Sequence, residues 1–349
     1  MTATFKKHIL NFKNPSGTSR GVLKFKETWF LIVSEGDKWG LGECGMLRGL
    51  SIDDRADYEE KLHWVCDNIS LGLDALYERL TEFPSIQFGV ETAFRSLASN
   101  NNFKLFPSQF TEGEEGIAIN GLIWMGNKAF MKKQIAEKLS QGFGCIKMKI
   151  GALDFESEVA LLKAIRKEFS ASEIELRVDA NGAFTVSEAM KKLQILSDLD
   201  IHSIEQPIKQ GNWQEMAALC ERTPLPIALD EELIGVFSEE KKIELMSTIK
   251  PQYIILKPSF IGGFRGSDYW IDLANKNGVG WWITSALESN VGLNAISQYT
   301  FTKNSILPQG LGTGSLYENN IESPLQIKDG SIYYERDKSW DLNVLKINL

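Results

Sequence analysis

The chain has 349 residues, 43% of them hydrophobic and 24% charged, the balance of a globular protein rather than a disordered one. Acidic residues outnumber basic ones, 46 to 38, for a net charge of -8, which works against binding phosphate backbones or anionic membranes and leaves a small molecule as the expected partner. Cys44, Cys66, Cys145 and Cys220 are scattered and form no CxxC pair, so neither a zinc ribbon nor a disulfide framework is indicated. The opening MTATFKKHILNFKNPSG meets charge and turn residues before any signal-like apolar core, and no later run approaches membrane-spanning length; a cytoplasmic protein is expected.

From about Gly21 to Gly45 apolar and polar residues alternate, as in Leu23 and Phe25 and then Trp29, Leu31 and Val33, with a Glu35-Gly36-Asp37 turn, which predicts a hairpin-rich start. Between Asp53 and Ala98 the apolar positions move to helical spacing, among them Leu62, Val65, Ile69, Val90, Ala93, Phe94 and Leu97. Residues 1–115 are therefore expected to form an α+β domain. After about Gly116 come seven short apolar runs, IAINGLIW, CIKMKI, IELRVDA, IHSIEQP, PIALDE, YIILKP and GWWITSA, separated by amphipathic stretches of helical length. Runs this continuously apolar suit a parallel sheet covered on both sides, and their alternation with helices predicts a barrel over residues 116–319. An eighth run, SILPQGLGTG, is weaker. Asp329-Gly330-Ser331, between QIK and IYYE, is a hairpin signal, and the tail 320–349 is expected to return to the N-terminal domain.

Five consecutive runs end in a charged residue: Lys149, Asp179, Glu205, Asp230 and Lys257. The last four are spaced by 26, 25 and 27 residues, one strand-helix unit each time, so all should meet at the C-terminal mouth of the barrel, where catalytic groups of such barrels sit. Singly, an acid closing a strand is most often a turn residue or the N-cap of the next helix. Five such residues ending apolar strands are different, because lysines and acids are almost never buried without partners. Three carboxylates with no histidine or thiolate nearby make an all-oxygen site suited to Mg²⁺ or Mn²⁺ rather than zinc. Asn181 and Glu231 lie beside these acids and are read as hydrogen-bond partners to them, or as cap residues.

Lys147 and Lys149 are two apart on one strand and share a face, the barrel interior; the alternative is an edge strand with solvated lysines. A free lysine is only about one part in 2,500 neutral at pH 7, so a lysine base needs neighbouring cations to lower its pKa. Such parts suit abstraction of a proton α to a carboxylate, with the cation stabilising the enediolate.

The segments KMK (147–149), VDANG (178–182), IEQP (204–207), LDEE (229–232) and LKPS (256–259) together resemble the enolase superfamily, over nearly the whole chain. That resemblance implies an α/β fold, a modified TIM-type (β/α)7β barrel with an N-terminal α+β capping domain, and a loop over the site in GLGECGMLRGLS (40–51). Lysines at the ends of the second and sixth strands are similar to the muconate-lactonizing subgroup; the three histidines, His8, His63 and His202, include none late in the barrel. PSIQFGVETA (84–93), INGLIWMG (119–126) and Arg177 resemble those members of the subgroup that eliminate water, syn, from 2-succinyl-6-hydroxy-2,4-cyclohexadiene-1-carboxylate. Carried over, Lys149 is the proton-transfer residue, Lys257 stabilises the enediolate from the opposite face, and Lys147 balances charge near the substrate carboxylate. Arg177, Asn181, Ser285 and Gly312, the last within the Gly310–Gly314 turn, would bind substrate.

Racemisation of N-succinylamino acids is the alternative, since a lysine on each face can exchange a proton with either enantiomer. Epimerisation of dipeptides is disfavoured, because its usual DxD motif is replaced here by GLGTG. A barrel that binds metal without catalysis is the reading from another class.

Overall fold

The computed structural model describes residues 1–18 and 21–346; residues 347–349 of the expected returning tail lie outside them. Three antiparallel strands open the chain, β1 (Thr2–Thr18), β2 (Gly21–Glu35) and β3 (Lys38–Cys44), followed by α1 (Tyr58–Asp67), α2 (Gly72–Glu78) and α3 (Pro84–Ala98). The inward residues of β2, Trp29, Leu31 and Val33, pack on Leu62, Val65, Ile86 and Val90 of the helices, as their alternation requires. A short β4 (Ile117–Ala118) leads into β5 (Gly121–Ile123), α4 (Lys128–Ser140), β6 (Cys145–Lys149), α5 (Phe155–Glu168), β7 (Glu175–Asp179), α6 (Val186–Ser197), β8 (Ser203–Glu205) and α7 (Trp213–Arg222). The series continues with β9 (Ile227–Leu229), α8 (Glu239–Ile249), β10 (Tyr253–Leu256), α9 (Pro258–Ile261), α10 (Gly263–Lys276), β11 (Gly280–Ile283) and α11 (Asn290–Phe301). β12 (Leu325–Lys328) and β13 (Ser331–Tyr334) end it.

Strands β5 to β11 form one parallel sheet in sequence order. The sheet closes through the weakest of the expected runs: Gln309 bridges Ile119 and Gly310 bridges Thr284, both in parallel. The eighth strand is this short because Pro308 has no N–H to donate, and Gly310 and Gly312 weaken any extension toward residue 314. No helix among the described residues is long and apolar enough to cross a membrane.

The GLGECGMLRGLS segment is only partly a loop. Its first five residues lie in β3, and a Cβ on Gly42 would overlap the Gly89 carbonyl of α3. Those early glycines are there for close packing; the loop proper starts at Gly45. The tail hairpin β12–β13 pairs with β4, while residues on either side of it touch the N-terminal sheet: Glu318 N–H donates to Asn11 C=O at 2.9 Å, and Leu345 packs with Phe30, Ile32 and Leu41.

Helix α3 also docks on the barrel through Glu91, whose carboxylate accepts the Phe264 N–H at 2.6 Å. Burial raises the Glu91 carboxyl from 4.5 to about 7, against the lowering effect of that N–H and of Arg265. The native state thus holds a proton that the unfolded chain releases. Its stabilising contribution is full below pH 4.5 and is lost as pH rises through about 7. Urea titrations between pH 5 and 7 should show stability falling with a slope of up to about 1.4 kcal/mol per pH unit, and Glu91→Gln should flatten it.

Candidate active site

The register of the parallel strands assembles the site. Lys149 is level with Asp179, and Asp179 with Glu205, while one layer below Lys147 is level with Arg177 and Arg177 with Ser203. Asp230 and Lys257 follow directly on β9 and β10. All five residues that end apolar strands therefore converge, with Lys147, in one buried cluster.

Within it each ammonium group meets acids. Lys147 Nζ donates to Glu205 Oε2 at 2.6 Å and lies 3.5 Å from Asp179 Oδ2. Lys149 Nζ donates to Asp179 Oδ2 and to Asn181 Oδ1, both at 2.8 Å. Lys257 Nζ donates to Asp230 and stands 3.9 Å from Glu205 Oε1. Asn181, in the left-handed region at φ 43°, donates its amide to Glu231 Oε1 at 3.0 Å, a conformation asparagine tolerates better than most residues.

The three acids are not electrostatically equal. Burial would raise Asp179, but Lys149 and Lys147 override it and hold its carboxyl low; Lys257 does the same for Asp230. Glu205 is pushed up to about 8, by burial first and then by the Asp179 carboxylate. Burial opposes charge on Lys147 and Lys257, yet the facing acids raise both. The Oε1 of Glu205 is buried with no hydrogen-bond partner among the described residues.

Among the described residues no group of three acids, histidines or cysteines closes into a metal cage, because the lysines stand between the carboxylates. The donor set nonetheless fits a hard cation: three acids on adjacent strand ends, with one buried oxygen, Glu205 Oε1, that has no donor among the described residues.

Above the cluster is a cavity lined by Lys147, Lys149, Asp179, Asn181, Lys257, Ser285 and Gly312. Its roof and apolar wall are Leu23, Leu47, Leu50, Trp124, Phe260 and Leu287. Arg177 is not among the lining residues. It lies 1% exposed in the barrel interior, its Nε on Glu175 at 2.6 Å and its guanidinium 4.2 Å from the Trp282 ring centre. His202 sits nearby, its ring 5.1 Å from that of Tyr253, a packing residue. Glu231 meets the site through its Oε1, which accepts the Asn181 amide.

Two features carry no signal in the sequence. Gln206, left-handed at φ 40° and fully buried, accepts the Asp230 N–H with Oε1 at 3.2 Å and donates Nε2 to Glu232 at 2.9 Å, thereby fixing two neighbouring strand ends. A second buried network joins β2 and β3 to the loop after β11. Lys26 Nζ donates to the carbonyls of Ala286 and Leu287, each at 3.0 Å. Glu43 accepts from Thr28, from Ser289 and from the Gly292 N–H. The periodicity of β2 shows only that Lys26 shares a face with Thr28.

Residues 131–337 match the family model described as enolase C-terminal domain-like. The o-succinylbenzoate synthase of Desulfotalea psychrophila is 46% identical over 95% of this chain and 98% of its own length. A crystal structure of MenC from the same organism superposes with TM-score 0.85 at 41% identity, covering 95% of this chain and 99% of the other. A muconate lactonizing enzyme from Pseudomonas fluorescens, bound to muconolactone, superposes with TM-score 0.85 at 21% identity over 99% and 97% of the two chains; at that identity the likeness is of fold.

Because Arg177 answers Glu175 and is not among the residues lining the cavity above the cluster, Arg177→Met should lower stability by about 1–3 kcal/mol while leaving KM within about threefold of the parent. Thermal melts and steady-state kinetics on the same preparation check this, and a large rise in KM at unchanged stability would return Arg177 to the substrate.

Proposed function

The chain belongs to the o-succinylbenzoate synthase family of the enolase superfamily, and on that premise we propose that it dehydrates 2-succinyl-6-hydroxy-2,4-cyclohexadiene-1-carboxylate to 2-succinylbenzoate, a step of menaquinone biosynthesis. The observation that carries this reading is the placement of Lys149 and Lys257. They end the second and sixth of eight strands, half a barrel turn apart, and both line the cavity. A planar ring carboxylate between them presents one face to each.

Asp179, Glu205 and Asp230 would hold one Mg²⁺ or Mn²⁺, as superfamily members hold theirs; when bound, it supplies positive charge beside the substrate carboxylate. The chain's own residues do the rest. Lys149 takes the α proton; the C–O bond to the hydroxyl then breaks, and Lys149 returns the proton to the departing oxygen on the same face, so that water leaves. Lys257 faces the opposite side as a fixed cation, its charge secured by Asp230 and Glu205. Lys147, tied to Glu205 and Asp179, keeps a further positive charge below the ring. Asn181 holds the Lys149 amine toward the cavity. Residues 1–115, with the returning tail, would cap the barrel of residues 116–319, and Leu47 and Leu50 would exclude water from the reacting carbon.

Two lysines on opposite faces also suit racemisation of N-succinylamino acids, and the same assay separates the readings. Formation of 2-succinylbenzoate, followed by ultraviolet absorbance, should require Mg²⁺ or Mn²⁺ and stop with a chelator. Racemisation of N-succinylphenylalanine faster than this dehydration would move the assignment. Lys149→Ala should fold and melt like the parent yet lose turnover by a factor on the order of 10³; activity within tenfold of the parent would end its assignment as base.

A further inference from the structure

A single side chain holds the turn that follows Lys149. Residues 150–154 carry the chain from the end of β6 to the start of α5. Three successive amides in this turn, those of Gly151, Ala152 and Leu153, donate to Glu158 Oε1 at 2.8, 3.1 and 3.1 Å. No backbone carbonyl takes any of the three among the described residues. Glu158 lies in the first turn of α5, 1% exposed, and its other oxygen, Oε2, is buried with no hydrogen-bond partner among the described residues. Lys192 favours its charge from a distance, but that ammonium is bonded to Glu188 at 2.8 Å. The carboxylate is therefore answered by loop amides, as an anion is in a backbone nest. Burying a charge in this way is costly, and a turn that served only as a connection would not require it.

The neighbours of the turn supply a reason. The Ile150 N–H, next after Lys149, donates to Asp179 C=O at 2.8 Å. Gly151, at φ 96°, approaches the loop of Asn181 so closely that a Cβ on it would stand 2.5 Å from Ala183 Cβ. Lys149 Nζ in turn donates to Asn181 Oδ1 at 2.8 Å. Both ends of that hydrogen bond thus rest on the turn that Glu158 gathers. Lysine carries its amine on a flexible four-carbon stem, so the direction of the amine depends on how firmly the backbone beneath it is held.

We propose that Glu158 is a positioning residue for proton transfer, fixing the turn after Lys149 and with it the placement of the Lys149 amine, an inference that rests on the reading of Lys149 as the proton-transfer residue. Glu158 is not among the residues lining the cavity. Its removal acts on the chemical step through Lys149 and leaves the surface offered to the substrate as it was.

Single turnovers of 2-succinyl-6-hydroxy-2,4-cyclohexadiene-1-carboxylate, with the Mg²⁺-loaded protein in excess, test this. Glu158→Leu, which fills the space and accepts no hydrogen bond, should slow the saturated rate on the order of tenfold to a hundredfold and leave half-saturation within about twofold of the parent. Glu158→Gln keeps an oxygen toward the amides without the charge, and should restore part of the loss, to about threefold to tenfold below the parent. It carries the test alone where Glu158→Leu does not fold. Saturated rates within about twofold of the parent in each variant that folds, with only the melting temperature lowered, overturn the assignment and leave the dehydratase reading standing. So does a rise in half-saturation as large as the fall in rate. Absence of turnover in the parent itself removes that reading and this inference with it.

Discussion

Everything at the barrel mouth depends on burying three ammonium groups and at least three carboxylates within hydrogen-bond reach of one another. Removing one such charge from water costs several kcal/mol, and breaking a buried pair by deleting one partner typically costs about 3–5 kcal/mol. The cluster therefore holds only if its members arrive in register. Parallel pairing does this: Lys149, Asp179 and Glu205 are level on three successive strands, so the same hydrogen bonds that build the sheet place opposite charges side by side. A one-residue slip would turn every one of them outward. The chemistry and the strand register are thus one constraint.

The same requirement recurs where the N-terminal sheet meets the barrel. Lys26, Glu43 and Glu288 are all buried, and burial lowers the Lys26 amine while raising the Glu288 carboxyl. Their partners come from residues about 250 positions away, the Ala286 and Leu287 carbonyls for Lys26 and the Ser289 and Gly292 amides for Glu43. Glu288 in turn accepts the Ser259 hydroxyl, two residues beyond Lys257. This network holds β2 and β3 against the rim that carries Ser285 and Lys257, and Leu47 and Leu50 follow β3 directly in the chain.

How much was readable from the sequence depends on how local each signal is. Hydrophobic runs of strand length, five of them closed by a charged residue, are visible residue by residue, and all seven appear in one sheet. The convergence of Lys149, Asp179, Glu205, Asp230 and Lys257 was legible because their spacing matches the strand-helix repeat. Arg177 could not be placed in the same way: its alternation puts it inside the barrel, but whether it reaches the cavity depends on depth, and Glu175 and Trp282 hold it below. Gln206 was hidden because its role depends on a left-handed backbone that no neighbouring residue announces. Lys26 was hidden because what matters about it lies across the fold, in partners beyond residue 280.

The cavity divides into a charged side and an uncharged one. On the proposed reading, two lysines on opposite faces of a carboxylate would act on its α carbon and carry no information about what is attached beyond it. Selection must come from the remaining walls. Here Leu23, Leu47, Leu50, Trp124, Phe260 and Leu287 offer apolar surface to a flat ring, while Asn120, Thr284, Ser285 and Thr313 offer hydrogen bonds from the closing side of the barrel. That side is also the least regular part of the sheet, held by two isolated bridges instead of a ladder. Substitutions there would disturb few backbone hydrogen bonds and none of the lysine–carboxylate pairs, so that wall can vary while the charged cluster stays fixed.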